Sequence, residues 1–315
     1  RKPIALLGTL VMAGAFLVTG SAGVANAAPA GPERETNDNW RVSRTVSNST
    51  PSAGDTITVS SVFERRWGGA TLQVVKDIHP SCLELVPGSV SFRGSTVPAN
   101  RIQVEQDDPA EPGFGFVRVT GINHWIEGAA GSSWKNASEF KAEYLVTSAC
   151  MRDVPLRSNL HFGARIESRD FPMGSFNGGP SITVQKDATT VELAAEPAAA
   201  VVDEDVTFTV TTSGIGDGET VDISGDGTGD ATATVTDNSA TFTRSFDSTG
   251  TKNVEVAYAG SAIAHPAGPA SASVEIGKTP SEPSIAAADP AIAGSPVPLT
   301  ATTTGIPNGE PVEFW

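Results

Sequence analysis

The sequence predicts an all-β protein built as β-sandwich domains in series, and three observations predict it. Apolar and polar residues alternate with a period of two in many short stretches, as half-buried strands require. The 32 Gly and 22 Pro fall between those stretches as turn punctuation. A long segment is also said nearly twice: VELAAEPAAAVVDEDVTFTVTTSGIGDGETVDI at 191–223 returns as SIAAADPAIAGSPVPLTATTTGIPNGEPVEF at 284–314. Glu196-Pro197 matches Asp289-Pro290, and Gly214-Ile215 matches Gly305-Ile306, at a spacing of about 92 residues. A period of that length is a whole small β domain rather than a solenoid turn.

Residues 1–27 read as a signal peptide. Arg1-Lys2 form a basic start, Ile4 to Val18 an apolar stretch, and Ala25-Asn26-Ala27 a small-residue cleavage site that puts the mature start at Ala28. An uncleaved membrane anchor is the alternative; the stretch is short for spanning and rich in small residues. No Cys follows it, which argues against a lipoprotein. Residues 28–39 (APAGPERETNDN) are polar and are expected to be loose. The chain opens on Arg1 and stops inside a repeat at Trp315, so it reads as a piece of a longer protein.

Residues 28–187 are expected to form one β-sandwich. Ile57, Val59 and Phe63 alternate with polar neighbours, as do Phe140, Ala142, Tyr144 and Val146, and Leu160, Phe162, Ala164 and Ile166. Further strands are predicted at 41–47, 70–76, 88–93, 101–105, 114–120 and 181–186, separated by turns such as Pro51-Ser52-Ala53-Gly54 and Pro87-Gly88. Cys82 and Cys150 both fall here. An export signal places them in an oxidising compartment, so a disulfide between them is expected over metal ligation or a catalytic thiol.

Residues 188–277 hold seven alternating candidates, at 189–194, 205–212, 219–224, 231–236, 239–246, 252–258 and 270–276. Seven strands in about 90 residues are the expectation for an immunoglobulin-like sandwich. With no Cys, this domain must hold by burial alone. Residues 278–283 (KTPSEP) read as a short Pro-containing linker, and 284–315 as the start of a second repeat. The fold class is thus tandem immunoglobulin-like β-sandwiches behind an N-terminal β-sandwich head.

The opening TTVEL, the DVTFTV and GETVDI strands, ATATVTDNSATFTRSF and STGTKNVEVAYAGSAIAHPAGPASASVEI resemble the bacterial Ig-like repeat family of actinobacterial surface proteins. The likeness covers residues 188–276 and the partial second copy, about 120 residues in all. That family usually has Asp or Asn and an aromatic after its Tyr-x-Gly, where this chain runs from Tyr258-Ala259-Gly260 into Ser261-Ala262-Ile263. Gly54-Asp55-Thr56-Ile57-Thr58-Val59 and Val86-Pro87-Gly88-Ser89-Val90 resemble, more distantly, secreted conserved-repeat β-sandwich domains. The resemblance implies a surface or wall location and a structural or adhesive role.

Charge is unevenly placed. Residues 188–315 carry 3 basic and 18 acidic side chains, against 16 and 18 in residues 28–187. An acidic chain without basic clusters argues against nucleic-acid binding. Self-repulsion along the acidic part favours an extended, soluble, monomeric stalk.

The search for chemistry is mostly negative. His79, His124, His161 and His265 form no HExxH or i, i+4 pair, and His161 is expected to face solvent from a strand. Hydrolase and nucleotide-binding motifs are missing, so no catalytic residue is assigned. Asp226 and Asp230, in GDGTGD, offer a calcium site or a plain glycine turn; no other cofactor is implied. Arg66, Trp67, Trp125 and Trp134 suggest a contact surface for a cell-wall glycan or for a protein of a host or neighbouring cell. Packing in the core is the alternative for those tryptophans. Two functions follow as expectations. One is a secreted, surface-associated modular protein with a structural or adhesive role; the other is the accessory N-terminal portion of a larger secreted hydrolase whose catalytic domain lies beyond residue 315.

Overall fold

A computed structural model describes residues 28–37, 39–128, 133–166, 169–176, 178–227, 229, 231–287 and 293–304. The expected signal peptide, with Ala25 and Ala27 of its cleavage site, lies outside the described residues. The chain divides into two compact units, Arg1–Gln185 and Lys186–Trp315. The protein is all-β: among the described residues the one helical element is a 3-10 turn at Ala99–Arg101. No helix among them is long and apolar enough to cross a membrane.

Unit 1 contains strands β1 (Ala30–Asn37), β2 (Trp40–Val46), β3 (Thr56–Arg65), β4 (Ala70–Pro80), β5 (Leu83–Leu85), β6 (Ser91–Phe92), β7 (Ser95–Thr96) and β8 (Ile102–Glu105). It continues with β9 (Phe114–Val119), β10 (His124–Ile126), β11 (Lys135–Val146), β12 (Pro155–Leu156), β13 (Asn159–Ile166), β14 (Arg169–Phe176) and β15 (Ile182–Thr183). One sheet runs β1-β2-β3-β11-β6-β7, with β5 also on β11; the other runs β14-β13-β4-β9-β8, with β10 also on β4. Alternation puts Val42, Val46, Ile57, Val59, Phe63, Phe140 and Ala142 on the inner face of the first sheet. They meet Leu72, Val75, Val117, Val119, Leu160 and Phe162 from the second. Rings of Trp40 and Phe63 pack edge-on against Phe162, at 4.9 and 5.4 Å between centroids. Each such buried side chain contributes on the order of 1.5–3 kcal/mol.

Two expectations for unit 1 are corrected. Residues 30–37 are not loose but form β1, paired antiparallel to β2 from Ala30↔Val46 to Asn37↔Trp40. An edge strand held by main-chain hydrogen bonds tolerates the polar Glu33, Arg34 and Glu35. The strand expected at 88–93 shrinks to β6, because Val86, Pro87, Gly88 and Ser89 form a turn closed by the Ser89 amide on the Val86 carbonyl.

Unit 2 contains β16 (Thr190–Glu196), β17 (Ala199–Val201), β18 (Val206–Ser213), β19 (Thr220–Gly225), β20 (Ala231–Thr234), β21 (Ser239–Arg244), β22 (Gly250–Tyr258) and β23 (Ala267–Gly277). A three-stranded sheet, β16-β18-β21, and a five-stranded one, β17-β23-β22-β19-β20, share one core. Val206, Phe208 and Val210 point inward while Thr207, Thr209 and Thr211 are exposed. All seven expected strands form, and β17 is added: the chain crosses at Pro197 to the second sheet and pairs in parallel with β23. The second repeat is represented by a hairpin of β24 (Glu282–Ala287) and β25 (Leu299–Thr304). The expected linker therefore ends two residues early, because Glu282 and Pro283 already pair with Thr304 and Thr303.

Candidate functional site

Strand directions bring four tryptophans of unit 1 to one end of its sandwich. Strand β1 ends and β2 begins there, β3 turns into β4, β10 ends and β11 begins. Trp40 proves to be core, 5 % exposed, with the Arg65 guanidinium 4.9 Å from its ring centroid. Trp67 and Trp125 are 51 % and 55 % exposed, and Trp134 is half-buried. Core packing thus holds for Trp40, while Trp67 and Trp125 face solvent.

The β3–β4 turn that carries Trp67 is braced from several sides. Arg65 Nε donates to the Gly68 carbonyl at 2.8 Å, and the Arg66 amide donates to the Asn39 carbonyl at 3.0 Å. Gly128 crosses so closely that a Cβ there would lie 2.2 Å from the Gly68 oxygen. The indole of Trp125 lies directly on Gly69, where a Cβ would be 1.8 Å from the ring. Trp125 pairs with Thr71 between the buried Ala70 and Ile126, so it sits on the outer face of the second sheet.

Trp134 flanks the outer face of the first sheet. The Arg41 and Arg66 guanidiniums lie 4.8 and 5.8 Å from its ring centroid. Arg41 is held by a two-pronged pair with Glu64, both bonds 2.7 Å, which raises the Arg41 pKa further. Arg66 has no carboxylate partner among the described residues. The structure therefore gathers Arg66, Trp67, Trp125 and Trp134 at one tip, with Trp67 at the turn and the other two indoles on opposite outer faces.

The opposite end is the base. Cys82 and Cys150 form a disulfide there, with Cα atoms 5.0 Å apart. The first and last described residues of unit 1, Ala28 and Gln185, lie at the base as well. Ala28 donates its amide to Asn48 Oδ1 at 3.2 Å and accepts from the Ser49 amide at 2.7 Å. Thr183 and Gln185 donate to the Ser49 and Pro51 carbonyls. The 12 residues of β11 run from tip to base, a span of roughly 35–40 Å at the usual strand rise.

In the half of unit 1 towards the base lies a buried polar group that the sequence reading missed. Asp77 accepts from Arg44 Nη2 at 2.7 Å and from the Tyr144 hydroxyl at 2.6 Å. Arg44 also donates to the Asn159 carbonyl and to Ser158 Oγ, and its side chain is 1 % exposed. Burial, then the Asp77 carboxylate, pushes the Tyr144 hydroxyl well above its ordinary value. The signal was strand parity: Arg44 shares the inward face of Val42 and Val46, and Asp77 that of Val75.

Next to it the His79 ring packs tilted against that of Tyr144, 4.6 Å between centroids, and donates from Nδ1 to the Pro80 carbonyl. Burial lowers its pKa, against smaller opposing effects of that bond and of Asp77. His161 is half-buried rather than solvent-facing, and burial lowers its pKa also.

Asp226 spends one oxygen as a turn acceptor, taking the Asn253 amide at 2.8 Å on Oδ2, while Asp230 lies outside the described residues. Among the described residues no group of three or more His, Cys, Asp or Glu is placed to hold a metal ion.

No protein-family model matches the chain, including the Ig-like repeat family that residues 188–276 resemble, and no curated protein matches it. Among solved structures it is similar to the major pilin subunit BcpA of Bacillus cereus, with 10% identity over 70% of this chain and 61% of that one, at a TM-score of 0.33. The full-length major pilin SpaD of Corynebacterium diphtheriae matches with 13% identity over 69% and 56%, at 0.32. The T6 backbone pilin of Streptococcus pyogenes matches with 11% identity over 78% and 54%, also at 0.32. The chain thus spans about three fifths of the length of BcpA. At TM-scores of this size the fold assignment rests on the chain's own strands and sheets.

Proposed function

We propose that the protein is a secreted, surface-associated modular protein with a structural and adhesive role. Unit 1 makes the contact and the immunoglobulin-like unit serves as spacer. The observation that carries this reading is the placement of the exposed tryptophans. They gather at the end of unit 1 opposite Ala28, Gln185 and its disulfide. A sandwich tethered at its base presents the loops of its other end outward.

Unit 2 supports the division by what it lacks. Its complete repeat, residues 188–277, contains no tryptophan, and the charge of −15 over residues 188–315 favours solubility and extension. Its core closes on itself without a cysteine, as an independent spacer module needs.

Antibody labelling of intact cells that express the full chain tests the reading. Surface labelling that disappears on brief external proteolysis is the expected result. Labelling only after the cells are broken open would contradict it.

A further inference from the structure

We propose that the tryptophan tip of unit 1 binds an acidic polysaccharide, stacking sugar rings on Trp67 and Trp125 and holding the acid group on the Arg66 guanidinium. The inference rests on the surface role argued above and names the ligand class for that tip.

The apolar surface shown at the tip is aromatic. Among the described residues of unit 1, the other exposed large hydrophobics are Val104, Met151 and Val154. Val104 pairs with Val117, in the half of the sandwich towards the base, and Met151 and Val154 follow the disulfide there. A protein partner generally needs a contiguous apolar centre under a polar rim. Here flat indoles stand apart with hydrogen-bonding groups between them. The C–H face of a pyranose ring lies flat on an indole, while its ring hydroxyls reach sideways to planar charged groups. The Arg41–Glu64 pair, with side chains 26% and 17% exposed, offers such a donor and acceptor side by side.

Curvature points the same way. Trp125 and Trp134 occupy opposite outer faces, about one sandwich thickness apart, with Trp67 on the turn between. A flat bilayer meeting the tip end-on leaves the two outer indoles uncovered. A flexible polymer follows the surface from one face over the turn to the other.

Charge supplies the last element. At the tip Arg41, Arg65, Arg66, Lys135, Arg165 and Arg169 stand against Glu64, Glu127 and Asp170, within a chain of net charge −15. Arg41 is taken by Glu64, whereas Arg66 stacks beside Trp134 with no carboxylate among the described residues. A guanidinium so placed matches a carboxylate or phosphate with two parallel bonds.

The test titrates the full chain with polygalacturonate and hyaluronan at about 0.15 M salt. Dextran serves as the neutral comparator and phosphatidylglycerol vesicles as the membrane one, with tryptophan fluorescence and sedimentation as readouts. At least one acidic polymer is expected to bind tenfold or more tighter than dextran. Trp67→Ala and Trp125→Ala are each expected to weaken it by about tenfold. Arg66→Gln should bring acidic and neutral polymers to parity, while Lys252→Gln in unit 2 changes nothing.

Equal affinity for dextran, binding indifferent to the indole variants, no binding of either acidic polymer, or preference for the vesicles would each overturn the proposal. The cell-labelling experiment reports separately on surface location, so either reading can fail without the other.

Discussion

Replacing Asp77 with Ala removes the counter-charge of a guanidinium whose side chain is 1 % exposed. It breaks the 2.7 Å bond from Arg44 and the 2.6 Å bond from Tyr144 at once. Leaving a buried charge uncompensated costs about 3–5 kcal/mol. That is a large part of the roughly 5–15 kcal/mol that holds a domain of this size. Tyr144→Phe keeps the ion pair and loses one bond to a charged acceptor, which costs about 1.5–3 kcal/mol. Arg44→Met combined with Asp77→Leu removes both charges and fills the space with apolar atoms. Its expected cost is smaller than that of Asp77→Ala alone. Urea unfolding followed by tryptophan emission reports mainly on unit 1, which holds four of the five tryptophans, the fifth being Trp315. With a slope of about 2 kcal/mol per molar urea, Asp77→Ala should lower the midpoint by roughly 1.5–2.5 M. A loss below about 1 kcal/mol, or a double variant no better than the single, would refute this account of the pair.

Other consequences follow from particular contacts. Gly69→Ala places a methyl inside the Trp125 ring and should swing that indole off the turn, costing about 1–3 kcal/mol and changing emission and polymer binding together. Retained wild-type emission and binding would contradict the packing. Cys82→Ser with Cys150→Ser opens a loop of sequence separation 68 and should lower stability by about 4 kcal/mol in the chain-entropy model. Calorimetry should show the loss in the unit 1 transition, with that of unit 2 unchanged.

Acid should also weaken unit 1. His79 is buried with its pKa below the ordinary value of about 6.5, so the unfolded chain binds more protons in that window. Its contribution is complete above about pH 6.5 and is lost as pH falls through the folded value. Denaturant midpoints measured between pH 7.5 and 5 should therefore fall, and His79→Gln should flatten the slope. His124 and His161, also shifted down mainly by burial, add slope of the same sign.

Much of the fold was legible in residue alternation. Val206, Phe208 and Val210 against three threonines specify a strand and its inner face before any pairing is known. Strands held by backbone alone were not legible. In β1 the run Glu33, Arg34, Glu35 carries no apolar signal, and β14 contains Pro172, which an edge position tolerates. The tip was half legible. Its residue types were visible, but their meeting depends on β10 crossing to β4 and on Gly69 and Gly128 permitting close approach. Trp40 could have been told from the others, since it shares parity with Val42 and Val46. The Arg44–Asp77–Tyr144 group was marked by inward parity in each strand, but its closure across two sheets required the register.

Hydroxyl-radical footprinting of the full chain, seated on the envelope of cells that express it, tests most directly whether the tip makes the contact. Protection is expected at Trp67, Trp125 and Trp134, with Met151 at the base and Ile263 in unit 2, 60% and 47% exposed, still reactive. Protection at Met151 or Ile263 with the three indoles still reactive would contradict it.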